Sequence, residues 1–181
     1  HNLIDSTFSL GVFALGMSII ELISPFSTFG FGGAAVRFIP KWNVRRDFLK
    51  INNFITFITF ASLFLSCLYA SVIYFNQNSF FSILNIKANQ KEFIVLSSLL
   101  PLFLILMILK NLSSIITQFL IGFKEIKKVV LSSSIIGFPL KFLLVASFLH
   151  FSFDLKGYIY AEIIFSIFIL SAFLYILFNI L

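Results

Sequence analysis

The chain has 181 residues, of which 60% are hydrophobic and 11% charged, and its mean hydropathy is +1.07. A soluble domain carries about 25% charged residues, so this composition excludes an ordinary water-soluble protein and predicts an integral membrane protein. The net charge of +6 does not indicate a nucleic-acid partner, because the cations cluster between apolar runs, as they do in the loops of membrane proteins.

Five apolar stretches are each long enough to cross the hydrocarbon as a helix of about 20 residues. They predict spans at about 7–29, 51–75, 93–120, 129–151 and 158–181. Transmembrane strands would be about ten residues long with an alternating pattern, whereas these runs are longer and continuous. We therefore expect an all-α membrane protein, a bundle of about five transmembrane helices, with residues 1–181 in a single transmembrane domain.

The loop charges predict the orientation of this bundle. The first and third connections hold eight Lys and Arg residues, against three in the second and fourth. The positive-inside rule therefore places the first and third in the cytoplasm, the N-terminus outside and the C-terminus inside the plasma (inner) membrane. A start on the outside without a signal peptide also leads us to expect that the chain is a fragment of a longer protein with a helix upstream.

Three ionisable residues stand inside predicted spans: Glu21, Lys110 and Lys141. A charge at mid-membrane costs at least about 2.5 to 3.5 kcal/mol on insertion scales, so each should line a cavity or pair with another group. Glu21 shares a face of small and polar residues with Pro25, whose ring leaves the Glu21 carbonyl without its helical partner. In the structural alternative, Lys110 snorkels to the cytoplasm and Glu21 pairs with Lys141. Glu162 is a weaker candidate, expected near the outer interface.

No motif for nucleotide binding, metalloprotease chemistry or serine hydrolysis occurs in the sequence, so no enzyme is predicted. Cys67 is the only cysteine, and the two histidines, His1 and His150, are far apart. This distribution offers no thiolate or imidazole cluster for a metal, and we predict neither a metal site nor a cofactor.

Two stretches resemble one known family. Residues 26–40 read FSTFGFGGAAVRFIP, and residues 108–128 read ILKNLSSIITQFLIGFKEIKK, followed after a further span by LKGYIYAEI. The first is similar to a helix that ends in an aromatic-glycine turn, small residues and R-F-x-P before a basic loop. The second is similar to a short basic turn and a later L-x-G-x-x-x-A helix entry. Both patterns are typical of the polysaccharide-export or O-antigen flippases of the multidrug/oligosaccharidyl-lipid/polysaccharide transporter superfamily.

The resemblance implies that the five spans match the second to sixth helices of the family and form most of one lobe of a two-lobed transporter. The first helix and the second lobe would then be missing partners from the same protein. Such proteins flip a lipid-linked oligosaccharide or polysaccharide precursor, as in lipopolysaccharide synthesis, by alternating access around a cationic cavity for pyrophosphate. The implied partners are the lipid-linked sugar and membrane lipids, without nucleic acid.

The resemblance also suggests roles for single residues. Arg37, which matches the R-F-x-P arginine, is a candidate substrate-binding residue, as are Lys110 and Lys141, which are chosen by depth and face. Glu21 is the ion-coupling candidate. Two alternatives remain open. An exporter of small organic cations would depend on an unpaired Glu21, and a membrane scaffold that does not transport would use the polar stripes only to pack helices.

Overall fold

The computed structural model describes the backbone of residues 3–83, 91–150 and 154–181 and the side chains of residues 10–82, 93–148 and 156–181. Every regular element in these ranges is a helix, and the described part of the chain contains no strand. A π-helical turn at Leu131–Ile136 joins the helix that ends at Val130 to the one that begins at Gly137. The helices are α1 (Leu3–Thr28), α2 (Phe31–Val44), α3 (Phe48–Phe75), α4 (Gln77–Ile83), α5 (Lys91–Gly122), α6 (Ile126–Val130), α7 (Gly137–His150) and α8 (Asp154–Phe178).

Five helical segments of the described chain are long and apolar enough to cross a membrane. Their ends differ from the predicted ones by at most three residues, and the predicted all-α membrane bundle is confirmed. The orientation of the bundle stays a prediction, and Lys87, one of the cations counted on the outer side, lies outside the described residues. The segments are Leu10–Thr28, Phe48–Phe75, Phe93–Gly122, Ile126–Phe148 and Lys156–Phe178.

Helix α5 is the central element, packed against α1, α2, α3 and α8. Its buried side chains contribute to two separate apolar clusters. One surrounds Phe103 and Met107 and includes residues of α1, α3, α4 and α8. The other surrounds Ile115 and Phe119 and includes residues of α2, α3, α6 and α8. The seven residues of α5 from 108 to 114 separate the clusters and lie at the level of the candidate site.

Helix α2 corrects the sequence interpretation of residues 30–50 as a connecting loop. Ala35 and Ile39 are buried, and Phe31 and Trp42 pack against the same cluster, so apolar side chains recur every three or four residues along one face. Arg37 and Lys41 are exposed on the helix, and Arg45, Arg46 and Lys50 follow it, which is why the segment resembles a charged loop in sequence. The region is an amphipathic helix that packs on α5 and α3.

Helices α1 and α2 form one interrupted helix that packs along the length of α5. The interruption is Phe29 and Gly30, with φ of 45° and 70°, a conformation that glycine adopts without strain. Beyond it, the α-carbon of Gly32 lies against the Gln118 side chain, and Ile39 lies against Gly122. The chain therefore continues in the same direction along α5 after the break.

The fourth span is irregular and peripheral. Pro139 has no N–H to donate to the Ile135 carbonyl, and the π-helical turn ends just before it, at Ile136. Gly137 fits against this wide turn, since a Cβ there would lie 2.8 Å from the Ser132 carbonyl oxygen. Only 11% of this span is buried inside the chain, against 39% of the third span, and α7 packs mainly on α8.

Candidate functional site: a polar layer at mid-bundle

All buried polar and charged side chains of the described residues lie at one level of the bundle. Each stands between a residue of the first apolar cluster and a residue of the second, along its own helix or, for Ser27, along the interrupted helix of α1 and α2. On α8, for example, Glu162 and Ser166 lie between Ile159 and Ile169. We call this level the polar layer, and its buried members are Ser27, Ser62, Ser66, Asn111, Glu162 and Ser166.

Asn111 connects three helices within the layer. Its Nδ2 donates to Ser27 Oγ of α1 at 2.5 Å and to Ser66 Oγ of α3 at 3.1 Å, and its Oδ1 accepts from the Ser24 hydroxyl. The side chain is fully buried, where an unpaired amide would cost about 1 to 3 kcal/mol. These bonds fix the position of α1 against α3 and α5.

Glu162 holds two lysines from two other helices. Its Oε2 lies 3.7 Å from Lys110 Nζ of α5, and its Oε1 pairs directly with Lys141 Nζ of α7. The Lys141 ammonium also lies 5.7 Å from the centre of the Phe165 ring, a distance at which a cation is attracted to the ring face. One carboxylate shared by two ammonium groups leaves one positive charge in excess.

The structure thus brings together Lys110 and Lys141, both predicted site residues, through Glu162, which the sequence indicated only weakly. Glu162 was expected near the outer interface, yet the residue is only 4% exposed. The alternative pair between Glu21 and Lys141 is not formed, because Lys141 forms its ion pair with Glu162 instead. Lys110 keeps about a third of its side chain exposed, so one side of the cluster remains open.

Glu21 and Arg37 are not paired with this cluster, although Glu21 acts electrostatically on Lys110 over a longer distance. Glu21 is exposed on α1 and forms no ion pair with the described residues. Gly11, Ser18 and Pro25 of its predicted polar face are exposed as well, whereas Ser24 and Thr28 are half-buried. Arg37, also exposed, lies on the part of α2 that packs beside Gly122, about 18 Å along α5 from Lys110 at 1.5 Å per residue.

The arrangement is suited to binding an anion. Two ammonium groups share one carboxylate that is itself buried, and buried charges are screened less than charges in water. At an effective dielectric constant of about 20, one extra unit charge 4 Å away interacts with each lysine by about 4 kcal/mol. Among the described residues, no group of three His, Cys, Asp or Glu side chains is placed to hold a metal ion.

Comparison of the chain with protein-family models, with curated proteins and with solved structures finds no match. The resemblance of residues 26–40 to the flippase pattern therefore remains a prediction. The chemistry of the polar layer is the independent basis on which a function can be proposed.

Proposed function

We propose that this membrane protein takes part in flipping a lipid-linked oligosaccharide or polysaccharide precursor across the plasma membrane by alternating access. The observation that carries the proposal is the meeting of Lys110 and Lys141 at mid-bundle with a single carboxylate between them. The excess positive charge suits a pyrophosphate linkage, since ammonium groups bind phosphate as point charges. A charge placed this deep indicates function by default.

Two backbone irregularities next to the layer support a moving bundle. Helix α1 breaks at Phe29 and Gly30, directly after Ser27 of the layer. The π-helical turn in the fourth span precedes Lys141 by little more than one turn. Helices interrupted beside a substrate site are common in alternating-access carriers, and π-helical turns are frequent at functional sites.

The exposed polar face of α1 is consistent with a second lobe. Gly11, Ala14, Ser18 and Glu21 are all exposed, and a carboxylate in a span is stable only where it meets protein or water. In two-lobed carriers, the substrate site lies at the interface between the lobes. We expect this face to line that interface.

The proposal is tested by introducing Lys110→Ala and Lys141→Ala at the chromosomal locus. Each should lower surface polymer and raise the amount of undelivered lipid-linked precursor, with membrane insertion unchanged, because each removes a ligand of the pyrophosphate. Lys50→Ala is the matched control, since Lys50 pairs with Asp47 on the exposed start of α3. Normal export by both layer variants at normal protein levels would contradict the proposal.

Export of small organic cations is a second candidate, favoured by one observation. Glu21 is the acid that forms no ion pair with the described residues, so its charge is available to a cation. This function predicts that Glu21→Gln abolishes drug-cation efflux while Lys110→Ala has little effect. The flippase proposal predicts that the lysine is the more sensitive position.

A further inference from the structure

Glu162 occupies the place that the phosphate of a cargo would need. Its two carboxylate oxygens are directed to different lysines, Oε2 to Lys110 and Oε1 to Lys141. The residue is buried between α5 and α7. The lysines therefore already have an anion when no ligand is present.

The surrounding membrane makes such an internal anion useful. Phospholipid headgroups present phosphodiesters with one negative charge at high concentration, and a bare pair of lysines beside the bilayer would bind them. A singly charged phosphate that displaces Glu162 exchanges one negative charge for another and gains little. A pyrophosphate brings at least two charges and can neutralise both lysines at once.

We propose that Glu162 is a built-in competitor for the anion site, which keeps Lys110 and Lys141 from binding singly charged phosphodiesters and yields only to a pyrophosphate. This inference rests on the proposed function, since it takes both lysines as ligands of the cargo phosphate. It adds a selectivity residue that touches the two cations and is displaced on loading. Among the described side chains, Glu21 also interacts with Lys110, over a longer distance, and is not paired with it.

The test is a binding measurement on the purified protein in detergent, with three probes. Farnesyl pyrophosphate and inorganic pyrophosphate supply the pyrophosphate with and without a lipid, and dihexanoyl phosphatidylglycerol supplies a singly charged phosphodiester. Glu162→Gln keeps the size of the side chain and removes the competing charge. We expect it to bind the pyrophosphate probes about tenfold more tightly than the wild type and to bind the phosphodiester at concentrations where the wild type does not.

The binding results of the lysine and glutamate variants distinguish failure of this inference from failure of the proposed function. Weaker pyrophosphate binding by Lys110→Ala and Lys141→Ala, without any gain in Glu162→Gln, would overturn the inference alone. Unchanged binding in all three variants would overturn both. A gain for farnesyl pyrophosphate but not for inorganic pyrophosphate would support the inference and assign the ligand to a lipid.

Glu162→Asp covers the case in which the glutamine variant fails to fold. Aspartate keeps the charge but is one methylene shorter, so it cannot contact both lysines in the same way. It should bind pyrophosphate more tightly than the wild type and less tightly than Glu162→Gln. A monodisperse Asp variant with wild-type affinity for every probe would contradict the inference.

Discussion

Replacing Asn111 by leucine tests whether the polar layer holds the bundle together. Leucine has nearly the same volume, so the change removes three interhelical hydrogen bonds without leaving a large cavity. Such bonds average about 0.6 kcal/mol in membrane proteins. Part of the loss is recovered, because the Ser27 hydroxyl already bonds to the Ser24 carbonyl of its own helix at 2.9 Å. We expect Asn111→Leu to lower the free energy of unfolding by about 1 to 2 kcal/mol.

Helix α3 offers a matched pair of controls for this prediction. Ser62 and Ser66 are both fully buried and lie one turn apart, but only Ser66 bonds to Asn111. The Ser62 hydroxyl has no hydrogen-bond partner in the described part of the chain. Ser66→Ala should therefore cost about 0.6 kcal/mol, while Ser62→Ala should be neutral or stabilising because it removes an unpaired hydroxyl.

The assay is equilibrium unfolding in mixed micelles, followed by circular dichroism or by steric trapping. A double-mutant cycle isolates the Asn111–Ser66 bond, since Ser66→Ala should cost almost nothing once Asn111 is leucine. If Asn111→Leu unfolded at the same denaturant concentration as Ser62→Ala, the bonds would not stabilise the bundle. The same conclusion would follow if Ser62→Ala and Ser66→Ala were equally destabilising.

Two further predictions concern the fourth span and the orientation. Gly137→Ala should destabilise the bundle by about 1 to 3 kcal/mol, because its Cβ would lie 2.8 Å from a carbonyl oxygen and 3.0 Å from the Ile169 side chain. Gly11→Ala, which meets nothing within 4 Å, should be neutral or stabilising in the same unfolding assay. For the orientation, single cysteines at Arg45 and Asn78 in a Cys67→Ala background should differ in intact cells. Only Asn78→Cys should react with an impermeant thiol reagent, and the opposite pattern would invert the predicted topology.

The spans could be predicted from the sequence because length and apolar composition alone decide them. Helix α2 could not be recognised by the same criteria, since it is short and its apolar face of Ala35 and Ile39 lies in a connection rich in basic residues. Its helical state depends on α5 and α3, which bury its apolar face. A search for three- and four-residue apolar spacing within the basic connection would have indicated it.

The site was predicted in part, for a related reason. Lys110 and Lys141 stand out because a charge inside an apolar run is conspicuous at any depth. The role of Glu162 depends on which helices are neighbours, and one sequence does not show that α5 and α7 meet α8 at its level. Asn111 carries no charge and was not singled out, although an amide inside a span is a recognised interhelical contact.

The most direct test of the proposed function is the leaflet distribution of the lipid-linked precursor in right-side-out spheroplasts. An impermeant sugar-oxidising or lectin probe measures the fraction of precursor exposed on the outer leaflet. Cells carrying the double variant Lys110→Ala, Lys141→Ala at the chromosomal locus should accumulate precursor that the probe does not reach, at unchanged levels of the membrane protein. An outer-leaflet fraction equal to that of the wild type would contradict the assignment of these lysines to an anionic lipid-linked cargo.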